Sequence, residues 1–570
     1  MISRIACLSF VAGVVLSIAT GCIGPGPVDF SLLGRSQRAL ADEGPQARLG
    51  DSGLASLRPE RVQALPEFEV TDDEESGKKI ISLGLDEAVM HALVNNLDIR
   101  VVSFDPAMSR EEIIAAASEF DYTVFGEAGY AKEDVRPANI FGGGQSKTYA
   151  FEAGVRQRFV TGAEWSLAWA LTRAWDNAAF NTLQPRYEPT LVFQISQPLL
   201  RDAWGEVNLA NLQVARLNYA TSMAQFREEV ERIAAEVIST YWALAQGRRE
   251  LEIAIGLLEQ TDRTLKRVKS RGELDATAVQ ISQIERALET RRAVMVQAQK
   301  TVIDVQDNLA RLLADAQINV LGEYEIVPIS NPSSESANID PDERLAEALK
   351  HNPTLEQSRL AIEVADIGVK VAEKQKLPQL NLTASAALQG LDDSPDNAHD
   401  WLFTGNYFGW GVGLFLEYPL GNRQREAEFR RSKLERAKAI TTLQSLSDQV
   451  AIQLKERIRQ VDTSYRQWKI QQKAVEAART ELQALEDTEL IRGQLTPEFL
   501  SVKLSAQASL AEAERGELQA ITEYNIALIE LARTTGTVLE LHPVPNALST
   551  IAGEMPESGP AEADAPKKEQ

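Results

Sequence analysis

Cysteine is nearly absent: Cys7 and Cys22 are the two in 570 residues, which excludes a disulfide framework and a cysteine-based zinc site. Histidine is as scarce. His91, His351, His399 and His542 stand far apart, with no His-x₃-His pair to hold a metal. Basic charge is in deficit, 59 Lys+Arg against 82 Asp+Glu, for a net charge of −23. A nucleic-acid reader needs the opposite balance, so no nucleic-acid partner is expected. Neither a G-x-S-x-G elbow nor a Walker loop occurs, and the abundant Asp and Glu form no recognisable acid/base pair, so no enzyme and no cofactor is expected. Past residue 22 no run of 18 or more apolar residues appears. No helix is therefore built to cross a bilayer, and a membrane crossing would fall to strands. What is present is ordinary for a folded protein, 44% hydrophobic and 25% charged residues, which excludes a wholly disordered chain.

The N-terminus reads as an export leader. Arg4 precedes an apolar stretch from Ile5 to Ile18, followed by Ala19-Thr20-Gly21-Cys22. Small residues directly before a cysteine suggest a lipoprotein signal over 1–22, with Cys22 acylated and left as the new N-terminus. Ordinary cleavage with Cys22 incidental is the alternative. Residues 23–79, rich in Gly, Pro, Ser and charge, read as a flexible tether, and 542–570 as a disordered tail.

Between these ends the sequence reads as two related halves, 80–335 and 336–541. Gln197-Pro198-Leu199 has a counterpart in Tyr418-Pro419-Leu420, and the same offset sets Gly272-Glu273-Leu274 over Gly493-Gln494-Leu495. Earlier, Glu87-x₄-Ala92-Leu93-x₂-Asn96 resembles Glu343-x₄-Ala348-Leu349-x₂-Asn352 at a larger offset. The first half thus carries extra chain between these landmarks. Each half reads helix, strands, very long helix, Gly turn, returning helix.

Phe226, Val230, Ile233, Val237, Tyr241 and Leu244 step by three and four. Ile281, Ile284, Leu288, Met295, Ala298, Val302, Val305, Leu309 and Leu312 keep heptad-like spacing with one polar gap, and Val461, Tyr465, Trp468, Val475, Ala478, Leu482 and Leu485 repeat it. Such narrow stripes flanked by charge mark helices packing side by side. Alone, they fit an antiparallel coiled-coil spacer equally well. Strands are signalled by period-two alternation at 148–160, 164–172, 189–197, 380–389 and 412–416, with loops expected at 133–147, 176–188 and 391–408. Segments of about ten residues with aromatics near their ends suit a transmembrane barrel wall, and a half-buried soluble sheet alternates in the same way. Trp165, Trp169, Trp401 and Trp410 are candidates for the membrane interface or for core packing. Glu152, Arg156 and Arg158 are the lumen candidates, with the solvated side of a sheet as the alternative. In a bilayer strands must close on themselves, and one chain supplies too few. Several copies would have to share one barrel.

The chain resembles the TolC-like outer-membrane efflux protein family. The resemblance rests on Ser196-Gln197-Pro198-Leu199-Leu200, on Lys376-Leu377-Pro378-Gln379-Leu380, and on the turns Arg271-Gly272-Glu273-Leu274-Asp275 and Arg492-Gly493-Gln494-Leu495-Thr496. The ending Tyr524-Asn525-Ile526-Ala527, followed by Leu531 and Gly536, matches as well. The resemblance implies a mainly α fold with a transmembrane β part: a homotrimer sharing one β-barrel, continued by a long periplasmic α-helical barrel. It implies a passive exit duct of a tripartite efflux or type I secretion system in the outer membrane of a Gram-negative-type bacterium. The partners would be a periplasmic adaptor, an inner-membrane pump and outer-membrane lipid. It would place Arg271, Gly272, Leu274, Arg492, Gly493 and Leu495 at an adaptor-docking tip; Gly and Leu serving only to end the helices is the alternative. Entrance acids would be Glu273, Asp275 and Glu498, the last standing where many members carry two acids. Against the family's usual two strands in the first half, an enlargement by a hairpin around Thr161-Gly162 is expected here. The competing reading is a lipid-anchored periplasmic coiled-coil scaffold without a pore.

Overall fold

Heptad-like stripes become helices and period-two segments become strands in the computed structural model, which describes residues 68–72, 79–136, 142–270, 278–315, 318, 324–492 and 496–541. Strands β1 (Glu69–Asp72) and β2 (Lys79–Leu83) lead into helices α1 (Leu85–Asn95), α2 (Leu97–Val102) and α3 (Phe104–Ala117). Four strands follow: β3 (Thr123–Asp134), β4 (Gln145–Arg158), β5 (Glu164–Asp176) and β6 (Arg186–Pro198). The short α4 (Gly205–Asn208) precedes the 61-residue α5 (Ala210–Ser270), which returns as α6 (Ala278–Leu313) and ends at β7 (Tyr324–Pro328). The order then runs α7 (Pro341–His351), α8 (Pro353–Gln375), β8 (Gln379–Gln389), α9 (Pro395–Phe403) and β9 (Phe408–Glu417). It closes with the 70-residue α10 (Arg423–Arg492), α11 (Pro497–Thr535) and α12 (Val538–Leu541). At 1.5 Å per residue, α5 and α10 are about 90 and 105 Å long.

The stripe Phe226, Val230, Ile233, Val237, Tyr241 and Leu244 is buried as one face of α5. It packs against Leu309, Leu312 and Leu313 of α6, Leu93 of α1, and the small sheet β1-β2-β7. A second cluster joins Val450, Leu454 and Val461 of α10 to Tyr524, Ala527 and Leu531 of α11. The motif shared by residues 87–96 and 343–352 has a physical basis. Asn96 Oδ1 accepts from the amides of Asp98 and Ile99, capping α2, while its Nδ2 donates to Leu312 O at 2.7 Å. Asn352 Oδ1 caps α8 through Thr354 and Leu355 in the same way, and its Nδ2 donates to Thr534 O at 3.0 Å. The alanines of both motifs, Ala92 and Ala348, are fully buried. Each asparagine therefore caps its helix and ties it to the end of a returning helix. Gly536 ends α11 at φ 75°, and a Cβ there would lie 2.5 Å from His351 O.

Three expectations change. The segment 23–79 read as a tether contains β1 and the start of β2, which pairs in parallel with β7, because Phe68, Ile81 and Leu83 are buried in the core against α5. The stretch 391–408 read as a loop contains α9, started by Pro395 at its first turn and seated through Ala398 and Leu402. A further strand, β3, precedes those foreseen.

Candidate channel wall and helical tips

The six remaining strands form one antiparallel sheet in the order β3-β4-β5-β6-β8-β9. The hairpin turn at Thr161-Gly162 belongs to this wall, since β4 pairs with β5 along their whole length. Gly162 sits at φ 82° where a Cβ would meet Asp202 O at 2.4 Å, so the turn is pressed against the exit of β6. Gln197 Nε2 donates to Thr161 O, and Asn208 Nδ2 donates to Asp202 O and Trp204 O. Leu199 N donates to Leu380 O, which ties the exit of β6 to the entry of β8.

The register sorts the side chains into two faces. One carries Val124, Tyr149, Phe151, Val155, Trp165, Leu167, Trp169, Leu171, Leu191, Phe193, Ile195, Leu382, Leu388, Trp410, Val412 and Leu414, all brought onto one side by the pairing. The other carries Glu127, Glu152, Arg156, Arg158, Ser166, Thr172, Gln194, Ser196, Asn381, Thr383 and Ser385. From Trp165 to Trp175 the strand rises about 34 Å; tilted by about 40°, it would span close to the 25 Å apolar band of a transmembrane barrel. At the loop end basic groups lie over rings: Lys147 Nζ is 5.3 Å from the Trp175 ring, and the Arg173 guanidinium is 5.5 Å from that of Tyr149. Such a girdle ends an apolar band where it meets water.

Of the tryptophans singled out in the sequence, Trp165 and Trp410 lie on the apolar face, Trp410 largely exposed on an edge strand. Trp169 is on the same face but in mid-strand, with the His399 ring of α9 at 5.6 Å. Trp401 projects from α9 itself, exposed. The lumen candidates share the polar face but differ in freedom. Glu152 stands opposite Glu127. The Arg156 guanidinium lies 5.7 Å from the Phe125 ring. Arg158 is tied to Glu119 and donates to Asn208 Oδ1 at 2.9 Å, fixing it at the join between sheet and helices.

Arg271, Gly272, Glu273, Leu274 and Asp275 lie outside the described residues, as do Gly493, Leu495 and Cys22; Arg492 is described as the last residue of α10 without its side chain. Glu498 is exposed in the first turn of α11, behind the Thr496 cap and Pro497, where an acid suits the helix dipole. One feature the sequence reading missed lies just behind the tips. Glu489 of α10 forms ion pairs with Arg267 of α5, at 2.7 Å, and with Lys503 of α11, whose side chain is buried. Burial pushes the Glu489 carboxyl up, but Lys503 and Arg267 outweigh it and hold it below the usual range. Close by, Arg291 of α6 donates to Thr261 of α5 and to Leu504 O and Gln507 Oε1 of α11. The two helical hairpins are thus cross-linked through polar groups near their ends. A lone buried Lys among helix charges carries no distinctive spacing, so no sequence signal marked it.

Among the described residues, no helix is long and apolar enough to cross a membrane, and no group of His, Cys, Asp and Glu could hold a metal ion.

Comparison with curated proteins found no match. Residues 345–537 match the family described as outer membrane efflux protein. Among solved structures, the fold is similar to the CmeC outer membrane channel of Campylobacter jejuni, at TM-score 0.58 and 14% identity over 80% of this chain and 86% of that one. It is similar to the open state of the MtrE outer membrane channel of Neisseria gonorrhoeae, at TM-score 0.57 and 16% identity over 80% and 89%. The outer membrane protein VceC of Vibrio cholerae is similar at TM-score 0.58 and 15% identity, over 79% and 96%. The matched family is described as an efflux protein of the outer membrane, CmeC and MtrE as outer membrane channels, and VceC as an outer membrane protein. The chain thus matches the outer membrane efflux protein family over residues 345–537 and has the fold of the CmeC and MtrE outer membrane channels.

Proposed function

We propose that three copies of this chain assemble into an outer-membrane exit duct, a passive tube through which an inner-membrane pump, joined by a periplasmic adaptor, expels its cargo. The observation that carries this reading is the six-stranded sheet, apolar on one face, polar on the other and, among the described residues, open at both edges. An open edge in hydrocarbon leaves backbone groups without partners, so such a sheet is completed in a membrane only by identical neighbours. The apolar face then meets lipid, and Glu127, Glu152 and Arg156 meet the water of the lumen. Continuing below the sheet, α5, α6, α10 and α11 supply one third of a helical tunnel about 100 Å long. The paired asparagine caps, Asn96 and Asn352, support descent of the two halves from one duplicated unit. Arg271, Gly272 and Leu274, with Arg492, Gly493 and Leu495, form the adaptor-docking tip, and Glu273, Asp275 and Glu498 charge its entrance. Cys22 carries the acyl chains that hold the N-terminus at the membrane, reached by a tether that ends near Phe68.

The test is reconstitution. Detergent-purified protein added to a planar bilayer is expected to give stable, discrete conductance steps. A preparation that remains a soluble monomer once the acyl chains are removed, with no conductance, would support a scaffold instead.

A further inference from the structure

The six strands carry more information than their number, because their ends are staggered. Following the hydrogen-bonded rows across the sheet, Thr123 of β3 is level with Arg156, Ser166, Gln194, Ser385 and Gly411 in turn. Gly411 lies near the start of β9, whereas Thr123 is the first residue of β3. Extended straight round to the next copy, β9 and β3 would overlap in only their end rows. They overlap fully if each copy is displaced along the strands.

We infer that β9 of one copy pairs antiparallel with β3 of the next, displaced by six or eight residues per copy, and that three copies close an eighteen-stranded barrel. This rests on the trimeric duct proposed above. The faces require an even displacement, since an odd one would set the apolar residues of β9 against the polar side of β3. Six or eight are the even values at which all ten residues of β9 find a partner within β3. A displacement of six sets Gly411 opposite Gly129; eight sets it opposite Ala131.

Two independent features fit this seam. The first is hydrogen-bond direction. Val135 N donates to Gly144 O and Gln389 N to Tyr407 O, continuing the β3–β4 and β8–β9 ladders. Both bonds belong to the polar-face rows, so on β3 and β9 alike the polar-face residues turn their backbone groups inward. The apolar-face residues, Val124 to Lys132 on β3 and Phe408 to Leu416 on β9, turn theirs outward. The two edges therefore present matching donors and acceptors from the same face. The second feature is tilt. Six strands about 4.8 Å apart, displaced by six or eight residues of about 3.4 Å, tilt by about 35° or 43°, within the range of closed membrane barrels. Nothing about two unrelated edges would require their stagger to give that angle. The backbone diameter for eighteen strands is then about 35 Å, against about 24 Å for twelve. The extra hairpin of the first half thus widens the membrane-spanning part of the duct.

Cysteine pairs across the seam test it. Polar-face pairs there are the closely spaced, non-hydrogen-bonded kind, about 4.5 Å between Cα atoms, within disulfide reach. Gly129 has open space where a side chain would go, and a Cβ at Gly411 makes an ordinary contact with Ser385. Gly411→Cys with Gly129→Cys, and Gly411→Cys with Ala131→Cys, are oxidised in the assembled full-length protein, with each single variant and Gly411→Cys with Tyr130→Cys as controls. The expected result is a covalent trimer from one of the two test pairs, at least tenfold above all controls. An intact trimer by native mass measurement with no cross-link from either pair would overturn the seam alone. Absence of any trimer would overturn the duct as well. For the unsubstituted protein, electron microscopy is expected to show a barrel near 35 Å across; one near 24 Å would contradict the strand count.

Discussion

Single residues decide whether the helical ends hold together. Glu489 faces two cations, and its depressed carboxyl is the sign of a stabilising arrangement. A carboxyl whose folded value lies below its ordinary 4.5 stabilises fully above that value, and the contribution is lost as pH falls through the depressed value. Glu489→Gln removes the charge at every pH and leaves Lys503 buried without its anion, at a cost of about 2–3 kcal/mol. Amides of residues 482–489 and 500–507 are then expected to exchange roughly tenfold to a hundredfold faster at neutral pH. In the unsubstituted protein the same acceleration is expected only on acidification below the ordinary carboxylate range. Unchanged exchange in the variant would mean that the ion pairs do not hold the hairpins together. This cluster was illegible in the sequence, because Arg267, Glu489 and Lys503 are hundreds of positions apart or hidden among other helix charges.

Elements were legible in proportion to the strength of their pattern. The stripe from Phe226 to Leu244 became a buried face of α5 because every step of three or four kept a large apolar side chain on one side. Strands β4 and β5 stood out because Tyr149, Phe151, Trp165 and Trp169 alternate with charge or small polar residues. Strand β3 escaped notice, since Gly126, Ala128 and Gly129 dilute its alternation; glycine lowers strand propensity while fitting where another backbone is to approach. Helix α9 was hidden by Pro395 and its acids, which also begin helices. The proposed docking role of the helical tips belongs to this scale. Bulky substitution of Gly272 and Gly493 together is expected to abolish export in cells while the trimer still assembles, since the helices behind the turns pack independently of them. Export at the unsubstituted level would remove the glycine turns from the docking surface.

At the scale of the molecule, two surfaces are left incomplete. Among the described residues, the sheet exposes Trp410, Val412, Leu414 and Leu416 on β9 and, along the twelve residues of β3, an outer edge with no strand beside it. Below it, α10 keeps most of its 70 residues exposed beyond the stripe that packs on α11, more surface than a helix in a finished monomer leaves open. Both surfaces lie on the flanks of the same unit, so one rotation about a common axis would cover them together. The acidic balance of the whole chain suits a water-filled conduit and gives no reason for self-association through charge.

The most direct measurement is the number of chains in the particle extracted from membranes with detergent, by native mass spectrometry of the full-length protein. Three chains per particle are predicted, at every protein concentration at which the detergent micelle is stable. A folded single chain, stable in water without lipid or detergent, would contradict the claim that this sheet is completed only by its neighbours.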